Sequence, residues 1–100
     1  MDKVLSLFGL CYRAGKILLG ENCLDNMAKV KLVVVASDIS SKSKERYLKK
    51  CHYYNVSLID TFSSYELSRA LGRGLVKSFG ITDEGFAKAI KEKYKGGLNG

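Results

Sequence analysis

The chain is poor in the residues that most enzyme chemistry needs: its 100 positions hold one histidine, three cysteines and no proline. A lone His52 removes most metal-binding and triad arrangements, which draw on several imidazoles or on a histidine beside a nucleophile. Cys51 and His52 are neighbours on one expected helix, where successive side chains diverge by about 100° and do not form a nucleophile–base pair. Cys11, Cys23 and Cys51 are odd in number and contain no C-x-x-C pair, which excludes a zinc knuckle and a thioredoxin-like site. Cys11 and Cys51 fall at apolar helical positions and read as buried thiols of a reducing compartment. The longest apolar run, Leu32 to Ala36, is far short of the ~20 residues that cross a bilayer. Met1-Asp2-Lys3 lacks the regions of a signal peptide. Low-complexity stretches, linkers and internal repeats are missing as well. The expectation is a soluble cytoplasmic protein with one domain over residues 1–94 and a loose tail over 95–100.

What is present in excess is positive charge, with 17 Lys+Arg against 10 Asp+Glu. Lys42 to Lys50 holds five bases and one acid, and Lys88 to Lys95 holds four bases and one acid. Such stripes suit a polyanion better than a small acidic metabolite, although a solvated outer face gives the same pattern. The carboxylates Asp38, Asp60 and Asp83 fall near strand ends or helix starts, where capping accounts for them. Asp38 and Asp60 could meet at one sheet edge, but no catalytic group and no cofactor is expected.

Apolar spacing at Val4, Leu7, Phe8 and Cys11 predicts a helix over 2–13, with Gly15 as a left-handed stop. A short strand over 16–19 leads into a helix that starts at Gly20 and ends near Lys29. Lys31-Leu-Val-Val-Val-Ala-Ser37 is β-branched and continuous, as a strand covered on both faces would be. Ser40 or Ser41 caps a third helix with Tyr47, Leu48, Cys51 and Tyr54 inward, and Asn55 ends it. A strand over 56–60 follows, then a capping box, Ser63-Ser-Tyr-Glu66, and a helix through Leu67, Ala70 and Leu71. A strand over 77–82 and a helix from Thr82 or Asp83 close the chain, with Phe86, Ile90 and Tyr94 on one face. Strands alternating with helices give an α/β chain. The expected architecture is a three-layer α/β/α sandwich with a small, four-stranded, mostly parallel or mixed sheet and about five helices.

Two segments carry the functional signal. At Gly20 a strand feeds a helix through glycine, so the first amides have no internal partner and face the positive end of the helix dipole. Asn22, in that first turn, offers an amide that donates to and accepts from a base edge. Cys23 lies in the same turn, where a thiol pKa can be lowered, although a small filler residue is the plainer reading. The second segment is Gly72-Arg-Gly-Leu-Val-Lys-Ser78. It lacks the glycine before Lys77 and the following helix of a phosphate loop, so a nucleotide site is rejected. Leu75 and Val76 either begin a buried strand or form an exposed apolar pair that stacks on an unpaired base between Arg73 and Lys77.

Taken in order, the first helix, Gly15-Lys-Ile-Leu-Leu-Gly-Glu-Asn22, Lys31-Leu-Val-Val-Val-Ala-Ser-Asp38, Cys51-x-x-x-Asn55-Val and Glu66-Leu-x-x-Ala-Leu-Gly72 resemble the kink-turn RNA-binding ribosomal protein family, the L-seven-Ae group. The likeness is greatest to its short bacterial members and spans about residues 3 to 92. It implies a non-catalytic, ribosomal-protein-like domain that recognises a kink-turn or similarly bent RNA and stabilises its fold. The family's junction reads Gly-Thr-Asn-Glu-x-x-Lys. Gly20 and Asn22 match it, whereas Glu21, Cys23 and Asn26 stand at its Thr, Glu and Lys positions. The family's second contact falls on Arg73, Gly74, Leu75 and Val76, where apolar residues cover a flipped-out nucleotide. Lys16 and Arg73 are expected to neutralise phosphates. The implied partner is structured RNA, ribosomal RNA or the ribosome included, bound by a monomer, with neither membrane nor DNA. The alternative is a protein-interaction or ribosome-assembly module with reduced RNA readout. A part of a methyltransferase is ranked last, since the chain has no room for the cofactor-binding domain.

Overall fold

The computed structural model describes residues 2–94, so the tail expected over 95–100 lies outside the described residues. The element order is α1 (Lys3–Arg13), β1 (Ile17–Leu19), α2 (Gly20–Asp25), a 3-10 turn (Met27–Lys29), β2 (Leu32–Val35), α3 (Ser41–Tyr54), β3 (Leu58–Ile59), α4 (Ser64–Leu71), β4 (Ser78–Ile81) and α5 (Glu84–Lys93). The four strands form one sheet in the order β1-β4-β2-β3. Only β2 and β3 pair in parallel; β4 runs antiparallel to both its neighbours. The sheet is therefore mixed rather than mostly parallel. The segment after α4 returns to the end where β1, β2 and β3 finish, so β4 enters the sheet in the reverse direction.

Successive β2 residues point to opposite faces, and both faces are covered. Leu32 and Val34 join Phe8, Leu67, Phe79 and Ile90 in a core beneath α1, α4 and α5. Phe8 sits edge-on to Phe62 at 5.8 Å and to Phe79 at 5.2 Å, a favoured aromatic geometry. Val33 and Val35 face a second core with Cys23, Leu24, Met27, Tyr47 and Cys51 from α2, the 3-10 turn and α3. The three layers follow from this two-sided burial.

Helix ends follow local chemistry. Ser40 caps α3, Ser63 and Glu66 close the full capping box on α4, and Asp83 caps α5. Asn55 ends α3 in a left-handed conformation, with φ of 57°. Helix α2 is shorter than expected: it stops at Asp25, and Asn26, with φ of −131°, separates it from the 3-10 turn. Tyr54 is 40% exposed rather than inward. In that last turn of α3 it is Cys51 that turns inward, against Val33 and Leu58.

The carboxyl ends of β1, β2 and β3 lie at one end of the sheet, together with the start of β4. The helices α2, α3 and α4 all start there. In α/β folds this is the end where ligands are held.

Candidate nucleic-acid interface

Gly20 opens α2 with φ of +49°, a left-handed geometry that residues with a β-carbon rarely adopt. A Cβ there would meet nothing within 4 Å, so the demand for glycine comes from the backbone and not from crowding. The residue before it, Leu19, has no capping side chain, whereas α1, α3, α4 and α5 are each capped by Asp or Ser. The first amides of α2 thus lack a side-chain acceptor, and Glu21 and Asn22 beside them are exposed.

Three contacts fix this corner. The Tyr47 hydroxyl donates to the Gly20 carbonyl at 3.0 Å, and the Ser78 hydroxyl, at 2.7 Å, donates its own proton to Tyr47. Burial raises the Tyr47 pKa, so the phenol keeps the proton it donates. The Asn26 amide donates to the Asn22 carbonyl at 2.8 Å and to the Asn22 side-chain oxygen at 3.0 Å. The Arg46 guanidinium, from α3, grips Glu21 with two bonds of 2.8 and 3.1 Å. The bond from Arg46 holds the Glu21 carboxyl below its ordinary value. The acid at the corner is therefore neutralised by its own cation.

A shallow groove of about 260 Å³ joins this corner to the segment before β4, with Gly20, Arg73, Leu75 and Lys77 on its walls. The two segments singled out in the sequence meet there. Leu75 is 75% exposed, whereas Val76 is 3% exposed and its N–H donates to the Ser68 hydroxyl at 2.8 Å. The apolar pair splits: Leu75 faces solvent and Val76 belongs to the core. Gly74 is exposed, and Arg73 reaches the Tyr12 hydroxyl at 3.0 Å.

One further expectation is corrected, and one residue lies away from the Gly20 corner. Cys23 points into the core, and burial pushes its thiol up to about 12, opposite to the lowering that a helix start can give. It is a filler residue and offers nothing to a partner. Lys16 stands at the opposite end of β1 from Gly20, about 13 Å away at ~3.3 Å per residue. Its carbonyl accepts from the Thr82 N–H at 3.0 Å, at the far end of the sheet. Lys77 supplies the cation on the near side.

The acids are in structural use. The Asp38 carboxylate accepts from the Ser64 N–H at 2.7 Å and its hydroxyl at 2.6 Å, while Asp60 pairs with Lys44 at 2.8 Å. Each carboxylate thus has a structural partner of its own. Among the described residues, no three His, Cys, Asp or Glu gather to hold a metal ion. Among the described residues, no helix is long and apolar enough to cross a membrane. On the basic stripe of α3, Arg46, Lys44 and Lys49 are each paired with an acid.

The structure thus defines an α/β/α sandwich with an open, cation-lined groove at the helix-start end of a mixed sheet. Residues 12–91 match the pattern of the ribosomal protein L7Ae/L30e/S12e/Gadd45 family, and the chain belongs to that family. It is 39% identical over 98 residues to RNA-binding protein YlxQ of Enterococcus faecium, covering 95% of this chain and 94% of that one. It is 33% identical over 87 residues to RNA-binding protein YlxQ of Bacillus subtilis (strain 168), covering 84% and 87%. A protein of unknown function from Bacillus halodurans C superposes with a TM-score of 0.84 at 31% identity, covering 92% of this chain and 96% of that one. The Giardia lamblia 15.5kD RNA binding protein shares the fold, with a TM-score of 0.74 at 21% identity over 89% and 79% of the two chains.

Proposed function

We propose that this protein is a non-catalytic, cytoplasmic RNA-binding protein that clamps a kink-turn or similarly bent RNA. The groove that brings the Gly20 corner against Arg73, Leu75 and Lys77 carries the reading. Asn22 and the first amides of α2 address base edges at the bend, Leu75 covers an unstacked base, and Arg73 and Lys77 hold phosphates. Two relatives that bear the name RNA-binding protein support an RNA partner. Binding selects the bent form from a mixed population, so the protein acts as a folding clamp on its RNA, in the ribosome or during its assembly.

Neutralising ~4–6 phosphates gives an affinity loss of ~10²–10³ between roughly 50 and 200 mM salt. Titration of a kink-turn RNA and a straight duplex at two salt concentrations tests this. The bent RNA should bind more tightly at both. Equal affinity for the two RNAs would refute recognition of the bend.

A further inference from the structure

The geometry points to a second RNA-contacting surface: Arg13, Arg69 and Arg73, on α1, α4 and the loop after α4, hold the phosphates of the RNA arm that leaves the bend. This extends the RNA-binding reading above and rests on it.

Two open depressions share Arg69. One, of about 460 Å³, lies between α1 and α4, with Arg13 and Arg69 on its walls. The other, of about 530 Å³, runs past Tyr65, Arg69, Arg73 and Gly74. Arg73 also lines the groove beside Gly20, so the surface continues the site already described.

What sets this surface apart is how its arginines are held. Tyr65 is 68% exposed, and the Arg69 guanidinium lies 5.8 Å from its ring centroid. Arg69 donates to the Tyr65 hydroxyl at 3.4 Å, and Arg73 donates to the Tyr12 hydroxyl at 3.0 Å. Neutral phenols orient these guanidinium groups without cancelling their charge. Among the described residues, none of Arg13, Arg69 and Arg73 forms an ion pair, whereas three cations of α3 do. Glu66, the acid of α4, is committed to its capping box at the helix start. Planar guanidinium forks suit phosphate oxygens, and an RNA backbone supplies these at short, regular intervals. The charge and the continuity with the groove together favour an arm of the same RNA.

The test uses two RNAs that share one bend, the first with arms trimmed close to it and the second with one arm extended. Wild-type protein should bind the extended RNA more tightly and with a steeper salt dependence. Arg13→Gln/Arg69→Gln should lose roughly tenfold or more on the extended RNA and lower its salt slope by about 0.9 per arginine, leaving the trimmed RNA unchanged. Arg13→Lys/Arg69→Lys, which keeps the charge, should retain most of the slope. An equal loss on both RNAs overturns the inference. So does no loss on either, the outcome that an acidic protein partner on this face would give. Wild-type binding to neither RNA removes the RNA-binding reading itself, and this surface with it, so the two failures are distinct.

Discussion

Asn26 holds Asn22 by both of its oxygens. Its amide donates to the Asn22 carbonyl at 2.8 Å and to the Asn22 side-chain oxygen at 3.0 Å. With that side-chain oxygen engaged, the exposed Asn22 side chain keeps its NH₂ group as the donor it can offer a partner. The residue that interrupts α2 is thus the one that aims the proposed base-reading side chain. The four-residue spacing is that of one helical turn, and Asn26 keeps it although α2 stops one residue earlier.

Removing the reader should therefore cost more than removing its support. Asn22→Ala is expected to weaken binding of a bent RNA by about tenfold or more, since a base-edge contact contributes ~1–3 kcal/mol. Asn26→Ala should weaken it about fivefold, the value of one orienting hydrogen bond of ~1 kcal/mol. Neither should change affinity for a straight duplex. Titrations with both RNAs check this, and an unchanged affinity in Asn22→Ala would remove Asn22 from the site.

The Glu21–Arg46 pair withholds one cation from that corner. Because the Glu21 carboxyl is depressed below its ordinary value of 4.5, the pair's contribution is present above that pH and fades as pH falls through the lowered value. The pair is exposed, so its effect on stability is small. Its effect on binding is larger. Glu21→Gln frees Arg46 at neutral pH and is expected to tighten RNA binding, steepening the salt slope by up to about 0.9. Affinity measured across a salt series reads both. Weaker binding in Glu21→Gln would mean that the carboxylate itself contacts the RNA.

Leu75 and Val76 are adjacent but should separate cleanly in experiment. Leu75→Ala removes an exposed side chain, so stability should change by less than about 0.5 kcal/mol while affinity for bent RNA falls roughly fivefold to tenfold. Val76→Ala opens space in the core and should destabilise the fold by about 1–3 kcal/mol. Thermal melts and RNA titrations on both variants check the split. A stability loss in Leu75→Ala as large as that in Val76→Ala would place both side chains in the core.

These residues also show what a sequence reveals. The left-handed Asn55, the Ser63–Glu66 capping box and the Asp83 cap were legible because each is decided within a few positions. The direction of β4 was not, because it depends on where the segment after α4 travels. Glu21 and Arg46 are 25 positions apart, and Tyr47 and Ser78 are 31 apart. Their contacts exist only once α3 has packed beside α2 and β4. Tyr47 was legible as core, and a buried phenol that needs a partner was the signal for its second role. Lys16 shows the opposite effect. Four positions from Gly20 is close along the chain, but an extended strand turns those positions into distance.

Cys23 provides the sharpest test of the packing that presents the corner. A β-carbon at Gly80 would come 2.5 Å from the Cys23 sulfur and 3.0 Å from the Val30 methyls. Gly80→Ala should push α2 away from the sheet and destabilise the protein by about 1–3 kcal/mol, and adding Cys23→Ala should recover part of that loss. Burial also pushes the Cys11 and Cys23 thiols up to about 12 and the Cys51 thiol to about 11, from an ordinary 9.0. In the folded state these thiols keep protons that the unfolded chain releases. Their contribution to stability is therefore complete below about pH 9 and is lost as pH rises toward 11–12. Denaturant midpoints at about pH 8 and about pH 10.5 should fall between the two, and fall less when Cys23 and Cys51 are both alanine. An identical fall in that double variant would show that the thiols titrate freely, and that α2 does not rest on the sheet through Cys23.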